Sequence, residues 1–132
     1  MASTDTARPR PLSPHLFIYR WSITMAVSIV HRATGVGLYV GVLLLAWFLL
    51  AAAADAASFA YFSWFIHSFI GQLVLLGFTW ALFQHMFSGI RHFILDAGYG
   101  LEPPLRDPLT WATLAGSVGA TLVVWIISFF VR

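Results

Sequence analysis

Two long uncharged stretches set the hydrophobic pattern of the chain. Asp, Glu, Lys and Arg are absent from residues 33–54 and from residues 56–90. As a helix, the first stretch would be about 33 Å long, which matches the hydrocarbon thickness of a bilayer. It therefore predicts one membrane-spanning helix, which begins near Ser22 because a serine at that position is a suitable N-cap.

The second stretch is too long for a single span. We place its helix over about residues 63–92, between the aromatic residues that follow the first loop and the next charged positions. A loop rich in glycine and proline comes next, and Asp107 then fits an N-cap with Pro108 at the first helical position. The third span is predicted over about residues 108–131.

These patterns predict an all-α integral membrane protein. An N-terminal segment of residues 1–21 precedes a single membrane domain of residues 22–132, with spans over about residues 22–54, 63–92 and 108–131. The composition agrees, since 60% of the residues are hydrophobic and 9% are charged, far from the averages of soluble proteins. A chain of 132 residues has no room for a second catalytic domain, so we expect a subunit of a larger assembly.

The positive charges predict the topology. All seven cationic side chains are arginines, and six of them precede the first span or lie between the second and third, at Arg8, Arg10, Arg20, Arg32, Arg91 and Arg106. Because cytoplasmic loops are enriched in positive charge, the N-terminus is predicted to be cytoplasmic and the C-terminus to lie on the other side. Charges placed in this way indicate membrane topology and not a nucleic-acid surface.

Any redox centre in this chain would have to be held by histidine. The sequence has no cysteine, which excludes disulfides, thiolate-ligated iron-sulfur clusters and covalent c-type heme. His85 lies six residues before Arg91 and so about 9 Å inside the predicted cytoplasmic boundary. It is either an axial ligand of heme b, with Gly89 leaving space one turn on, or a histidine hydrogen-bonded within the bundle. The residues alone leave both interpretations open.

A second polar group lies near the start of the first span. Ser28 and Arg32 are four residues apart and share a helix face, with His31 on its flank. The histidine or the guanidinium could meet the carboxylates of a heme, and the hydroxyl with the guanidinium could hold a quinone carbonyl. Alternatively, Arg32 only marks the cytoplasmic side. His67, near the opposite membrane surface, is predicted to be structural.

Small residues recur at helical spacing in two of the spans. Gly37 and Gly41 lie in the first span, and Ala112, Gly116 and Ala120 lie in the third. Such spacing permits helix backbones to approach closely in a membrane. The spans are therefore predicted to pack as a bundle.

Two blocks of residues stand out along the chain. They are Arg10-Pro11-Leu12-Ser13-Pro14-His15-Leu16 with Ser28-x-x-His31-Arg32-x-Thr34-Gly35, and His85-x-x-x-Gly89-Ile90-Arg91-His92 followed by Asp96 and Gly98. Together the blocks resemble the signatures of the succinate dehydrogenase cytochrome b subunit family, and they bracket residues 10–98. Leu95 replaces the aromatic residue or methionine expected before the aspartate, which is a minor departure.

The resemblance implies a membrane anchor of respiratory complex II, which forms half of a heterodimeric helical bundle with a second three-span anchor subunit. Flavoprotein and iron-sulfur subunits would cap it on the cytoplasmic side and oxidise succinate. By position, His85 resembles the axial ligand of heme b, with the second ligand on the partner anchor, and His31 and Arg32 resemble neighbours of the heme propionates. Ser28 and Arg32 resemble this chain's part of the ubiquinone site, where electrons enter the quinone pool.

Other functions compatible with the sequence are the anchor of a quinol:fumarate reductase, which runs the reaction in the opposite direction, and a purely structural anchor without a redox role. A small channel or carrier is disfavoured, because the first and third spans have almost no polar residues at mid-membrane. The short N-terminal segment has no apolar core typical of a signal peptide and does not resemble an import presequence. We therefore expect a bacterial inner membrane protein in preference to a mitochondrial one.

Overall fold

The computed structural model describes residues 19–131, and this part of the chain is almost entirely helical. Its four helices are α1 (Ile23–Ala54), α2 (Ala56–His67), α3 (Phe69–Asp96) and α4 (Arg106–Val131). Helices α1, α3 and α4 are each long and apolar enough to cross a membrane. The prediction of an all-α membrane protein with three spans is confirmed. The block at residues 10–16 and the C-terminal arginine lie outside the described residues.

The second span differs from its predicted bounds, because the helix is interrupted at Ser68. This residue has an extended backbone, with φ −68° and ψ 159°. Its hydroxyl donates to the carbonyl of Phe65 at 2.6 Å and accepts from the N–H of Gly71 at 3.1 Å, so it ends α2 and caps α3. The predicted start near residue 63 falls inside α2, and the spanning helix begins at Phe69.

The outer boundaries of the helices follow their caps. Ser22 caps α1 as predicted, since its hydroxyl accepts from the N–H of Met25 at 3.3 Å. Helix α4 begins at Arg106, so the predicted N-cap at Asp107 with Pro108 at the first helical position is wrong. Asp107 therefore lies inside the first turn, where a carboxylate interacts favourably with the positive end of the helix dipole.

Helix α3 runs antiparallel to both α1 and α4. His31 near the start of α1 contacts His85 near the end of α3, and Gln84 of α3 bonds Ser117 in the first half of α4. The start of α1, the end of α3 and the start of α4 therefore share one end of the bundle, which carries Arg32, Arg91 and Arg106. This grouping agrees with the predicted topology, and the assignment of that end to the cytoplasm stays a prediction.

Burial in this chain is reversed relative to a soluble protein. The largest fully buried side chains are all polar, namely Gln84, Thr110, Ser88 and Ser117. Large apolar side chains along all three spans are exposed. Lipid is as apolar as these side chains, so the bilayer can solvate them while polar groups pair inside the bundle.

Glycines set the closest approach between helices. A Cβ atom on Gly41 of α1 would overlap the ring of Phe78 on α3, and one on Gly116 of α4 would contact the ring of Phe87 at 3.4 Å. The predicted close packing is confirmed at these two glycines. Gly37 faces open space, since a Cβ atom there would meet nothing within 4 Å.

Candidate functional site

Three histidines meet at the arginine-bearing end of the bundle. His31 lies on α1, and His85 and His92 lie two helical turns apart on α3. The ring centroids of His31 and His85 are 4.1 Å apart with an interplanar angle of 81°, and those of His31 and His92 are 5.1 Å apart at 57°. We call these three residues the histidine cluster.

Helix α1 fixes the orientation of the His85 ring. The Nδ1 atom of His85 lies 3.2 Å from the carbonyl oxygen of His31 and 3.4 Å from the hydroxyl of Thr34, which itself donates to the same carbonyl at 2.9 Å. A carbonyl oxygen can only accept, so Nδ1 carries the hydrogen and the neutral ring has its free electron pair on Nε2. Histidines that bind metals commonly hold their second ring nitrogen in this way.

Small residues leave room around the His85 ring. A Cβ atom on Gly35 of α1 would lie 3.1 Å from Cε1 of this ring, so a larger residue would push the imidazole away from α1. On α3, the residues at four-residue steps from His85 are Gly77, Ala81 and Gly89. Cβ atoms on Gly77 and Gly89 would meet nothing within 4 Å.

A groove between α1 and α3 begins one turn from His85. It has a volume of about 230 Å³, and its lining includes Gly37, Gly41, Gly77 and Ala81. The groove lies on the face of α3 that carries His85 and packs against α1, and its lining is apolar. The open space at Gly89 agrees with the sequence-based expectation, whereas Gly77, Ala81 and Thr34 were missed. The four-residue repeat of small residues on either side of His85 was the signal for the first two.

Two buried polar atoms at this end have no hydrogen-bond partner among residues 19–131. They are Nδ1 of His31 and Nε of Arg91. Unpaired buried polar atoms are uncommon in native structures. Their presence here indicates that another group completes this end of the bundle.

Ser28 and Arg32 form an exposed pair beside the histidine cluster. The guanidinium Nε of Arg32 donates to the backbone carbonyl of Ser28 at 3.4 Å, and residues four positions apart share a helix face. Both residues are exposed. The pair is therefore accessible to a ligand or to a neighbouring subunit.

His67 lies at the other end of the bundle. It ends α2, and its Nδ1 atom is 2.7 Å from the backbone carbonyl of Ser63, one turn earlier. The histidine cluster is on the opposite side of the molecule. This geometry agrees with the structural role predicted for His67.

A polar network that was not predicted from the sequence lies on another face of α3. Ser117 of α4 donates to Oε1 of Gln84 at 2.6 Å, and Nε2 of Gln84 donates to the hydroxyl of Ser88 at 3.0 Å. We call these three buried residues the amide seam. The buried stripe of α4 consists of Thr110, Thr113, Ser117 and Thr121, whose spacing of three and four residues was the available signal.

Comparison with known proteins places the chain in a family. The family model described as "Succinate dehydrogenase/Fumarate reductase transmembrane subunit" matches residues 6–127. The chain is 43% identical over 122 residues to the succinate dehydrogenase cytochrome b556 subunit of Paracoccus denitrificans, covering 92% of this chain and 93% of that one.

Other relatives give the same result. The cytochrome b556 subunit of Rickettsia felis succinate dehydrogenase is 35% identical over 117 residues, with 89% of this chain and 91% of that one covered. The mitochondrial cytochrome b560 subunit of Sus scrofa succinate dehydrogenase is 42% identical over 100 residues, with 72% and 57% covered. The three spans and the bacterial relatives confirm the prediction of a multi-pass bacterial membrane protein. The chain thus belongs to the family of succinate dehydrogenase and fumarate reductase transmembrane subunits, as the resemblance of its sequence blocks implied.

Proposed function

We propose that this chain is the membrane-anchoring cytochrome b subunit of a succinate dehydrogenase and that it binds heme b and ubiquinone together with its partner subunits. The observation that carries the proposal is the His85 ring, whose Nδ1 is held by the His31 carbonyl at 3.2 Å while Nε2 is free for a metal. The names of the relatives, cytochrome b556 and b560 subunits of succinate dehydrogenase, support the choice of heme b and of the succinate-oxidising direction.

His85 would be this chain's ligand to the heme iron, and a partner anchor subunit would supply the other protein ligand. His31 and Arg32 would be neighbours of the heme propionates, with the Arg32 guanidinium as the cation, since these consecutive residues lie on α1 at the same end as His85. When bound, heme b supplies a one-electron redox centre within the membrane. The protein's part is to orient the imidazole and to provide the groove between α1 and α3.

Ser28 and Arg32 would form this chain's share of the quinone site. The Ser28 hydroxyl would donate a hydrogen bond to a quinone carbonyl, and the Arg32 guanidinium would stabilise the negative charge that develops there during reduction. Both side chains are exposed on α1, so the partner subunits can complete the site. Flavoprotein and iron-sulfur subunits would oxidise succinate and deliver electrons to this end of the bundle.

The test is a reduced-minus-oxidised optical spectrum of the purified complex carrying His85→Leu, with His67→Leu as the matched control. His67 is an exposed histidine at the far end of the bundle, so its replacement should leave the b-type signal intact. We expect His85→Leu to remove that signal while the soluble subunits stay attached to the membrane. An assembled His85→Leu complex with an unchanged b-type spectrum would contradict the proposal, as would a wild-type complex without heme.

A further inference from the structure

The amide seam lies on the face of α3 that packs against α4. Gln84 is completely buried, as is Ser117, and Ser88 is 2% exposed. We infer that the hydrogen bond between Gln84 and Ser117 is a positioning contact that fixes the rotation of α3 about its axis, and with it the direction in which His85 presents Nε2. This inference rests on the proposed role of His85 as a heme ligand.

The geometry links the two residues through the helix itself. Gln84 and His85 are consecutive, so their side chains leave α3 about 100° apart. Gln84 points to α4, where it accepts from Ser117, and His85 points to α1, where it donates to the His31 carbonyl. A rotation of α3 that breaks one contact also moves the other.

Apolar packing alone holds such a rotation weakly in a membrane. Lipid tails are as apolar as the side chains of the spans, so burying one apolar face in place of another gains little free energy. Directional hydrogen bonds between helices, by contrast, specify one orientation. Gln84 provides such a bond at about the same depth as the histidine that needs the orientation.

The other hydroxyls on the buried stripe of α4 do not provide this link. Thr110, Thr113 and Thr121 donate to carbonyls of α4 itself, at 2.7–2.8 Å. Ser117 lies 2.6 Å from Oε1 of Gln84 and 2.9 Å from the carbonyl of Leu114. Its single hydrogen is therefore shared between a bond to α3 and a bond within α4, and the shorter contact is the one to Gln84.

Removing either partner should release the constraint. Without the Ser117 hydroxyl, the Gln84 carbonyl would be a buried acceptor that has lost its donor, and the amide would turn to find another. Without the Gln84 amide, the Ser117 hydroxyl would bond to Leu114 alone. In both cases α3 could rotate, and the direction in which His85 presents Nε2 would change.

The experiment measures the heme and not turnover, in complexes with Ser117→Ala, Gln84→Leu and Ser117→Thr. Thr113→Ala is the matched control, because it removes a hydroxyl from the same stripe that bonds within α4. The readouts are a redox titration and the low-spin electron paramagnetic resonance spectrum, which depend on axial-ligand orientation and surroundings. For Ser117→Ala and Gln84→Leu we expect heme to remain, with about a threefold change in the ratio of reduced to oxidised heme at a fixed potential and a shifted resonance.

Ser117→Thr keeps the hydroxyl and should have the wild-type redox potential and resonance. Thr113→Ala should have them as well. If Gln84→Leu fails to assemble, Ser117→Ala decides, because it removes only one oxygen atom. Wild-type potential and resonance in Ser117→Ala, or an equal change in Thr113→Ala, would overturn the inference. Retention of heme by His85→Leu would instead overturn the proposed function, so the two failures are distinguishable.

Discussion

Helix α3 carries polar residues on two faces, and the two groups differ in how complete they are. In the amide seam, the Gln84 amide has partners for both its oxygen and its nitrogen, and all three residues are buried. In the histidine cluster, His31 and His85 are partly buried and His92 is exposed, and Nδ1 of His31 has no partner among the described residues. A polar network that is complete within one chain stabilises the bundle, whereas an incomplete one at a helix interface is suited to bind another group.

The largest expected loss of heme and of stability comes from a substitution that separates α1 from α3 and leaves the hydrogen bonds of the amide seam in place. A leucine at Gly41 would overlap the Phe78 ring, since even a Cβ atom does so, and overpacking of this kind costs roughly 1–3 kcal/mol. We expect Gly41→Leu to lose heme and to lower the unfolding temperature of the purified complex. Gly119→Leu on α4, where a Cβ atom would meet nothing within 4 Å, is the control and should retain both.

The next largest effect is expected from replacing the arginine of the exposed pair. Arg32→Leu removes the cation proposed to stabilise the reduced quinone, and loss of one such group typically slows a reaction by roughly 100-fold. We expect that decrease in succinate:quinone reductase activity, with reduction of a water-soluble acceptor that bypasses the quinone unchanged. Arg106→Leu removes an arginine at the same end that pairs with Asp107 at 3.0 Å and should preserve both activities. An equal loss in the two variants would contradict the assignment.

A smaller effect is expected at the other member of the pair. Ser28→Ala removes a hydroxyl proposed to bond a quinone oxygen, and one such bond contributes about 0.5–1.5 kcal/mol. The expected result is a rise of about three- to tenfold in the KM for quinone, with the heme spectrum unchanged. Ser28→Thr keeps the hydroxyl and should remain close to wild type. A fall in heme content without a change in quinone KM would show that Ser28 contributes to heme binding at the histidine cluster and not to quinone binding.

The smallest expected effect is a change in stability at the cap of α2, far from the histidine cluster and the amide seam. The pKa of Asp55 is lowered from its ordinary value, first by the backbone N–H of Ser58 and then by the hydroxyl of Ser58. The stabilisation from this carboxylate is therefore present above the ordinary carboxyl pKa of about 3.9 and is lost as the pH falls through the lower pKa of the folded state.

Asp55→Asn keeps a capping oxygen that does not titrate in this range. We expect the wild-type complex to lose more thermal stability than the Asn variant when the pH is lowered below about 4. Thermal unfolding of both complexes in detergent at several pH values measures this difference. The heme spectrum above that range should be the same in both, and parallel pH curves would show that Asp55 contributes no titrating cap.

The sequence predicted the three spans because hydrophobic length is a strong signal, and it predicted the shared face of Ser28 and Arg32 because helix spacing is fixed. The break at Ser68 was not predictable in the same way. Serine interrupts a helix only when its hydroxyl finds a backbone partner, here the carbonyl of Phe65 and the N–H of Gly71, and a composition pattern does not contain that geometry.

The hydrogen bond between α3 and α4 could not be predicted from the sequence for a related reason. The polar residues Gln84 and Ser117 lie 33 positions apart, and their pairing depends on how the two helices are rotated and offset. The depth of His85 follows from counting residues along a helix, but the carbonyl that orients its ring belongs to α1. Contacts between spans therefore required the three-dimensional structure.

The role of His85 is tested most directly by an electron-microscopy map of the complete, heme-loaded complex at a resolution that separates the ring atoms of His85. We predict that Nε2 of His85 is bonded to the heme iron while Nδ1 remains on the His31 carbonyl. Iron bound by another residue of this chain, or a His85 ring turned so that Nδ1 faces the iron, would contradict it.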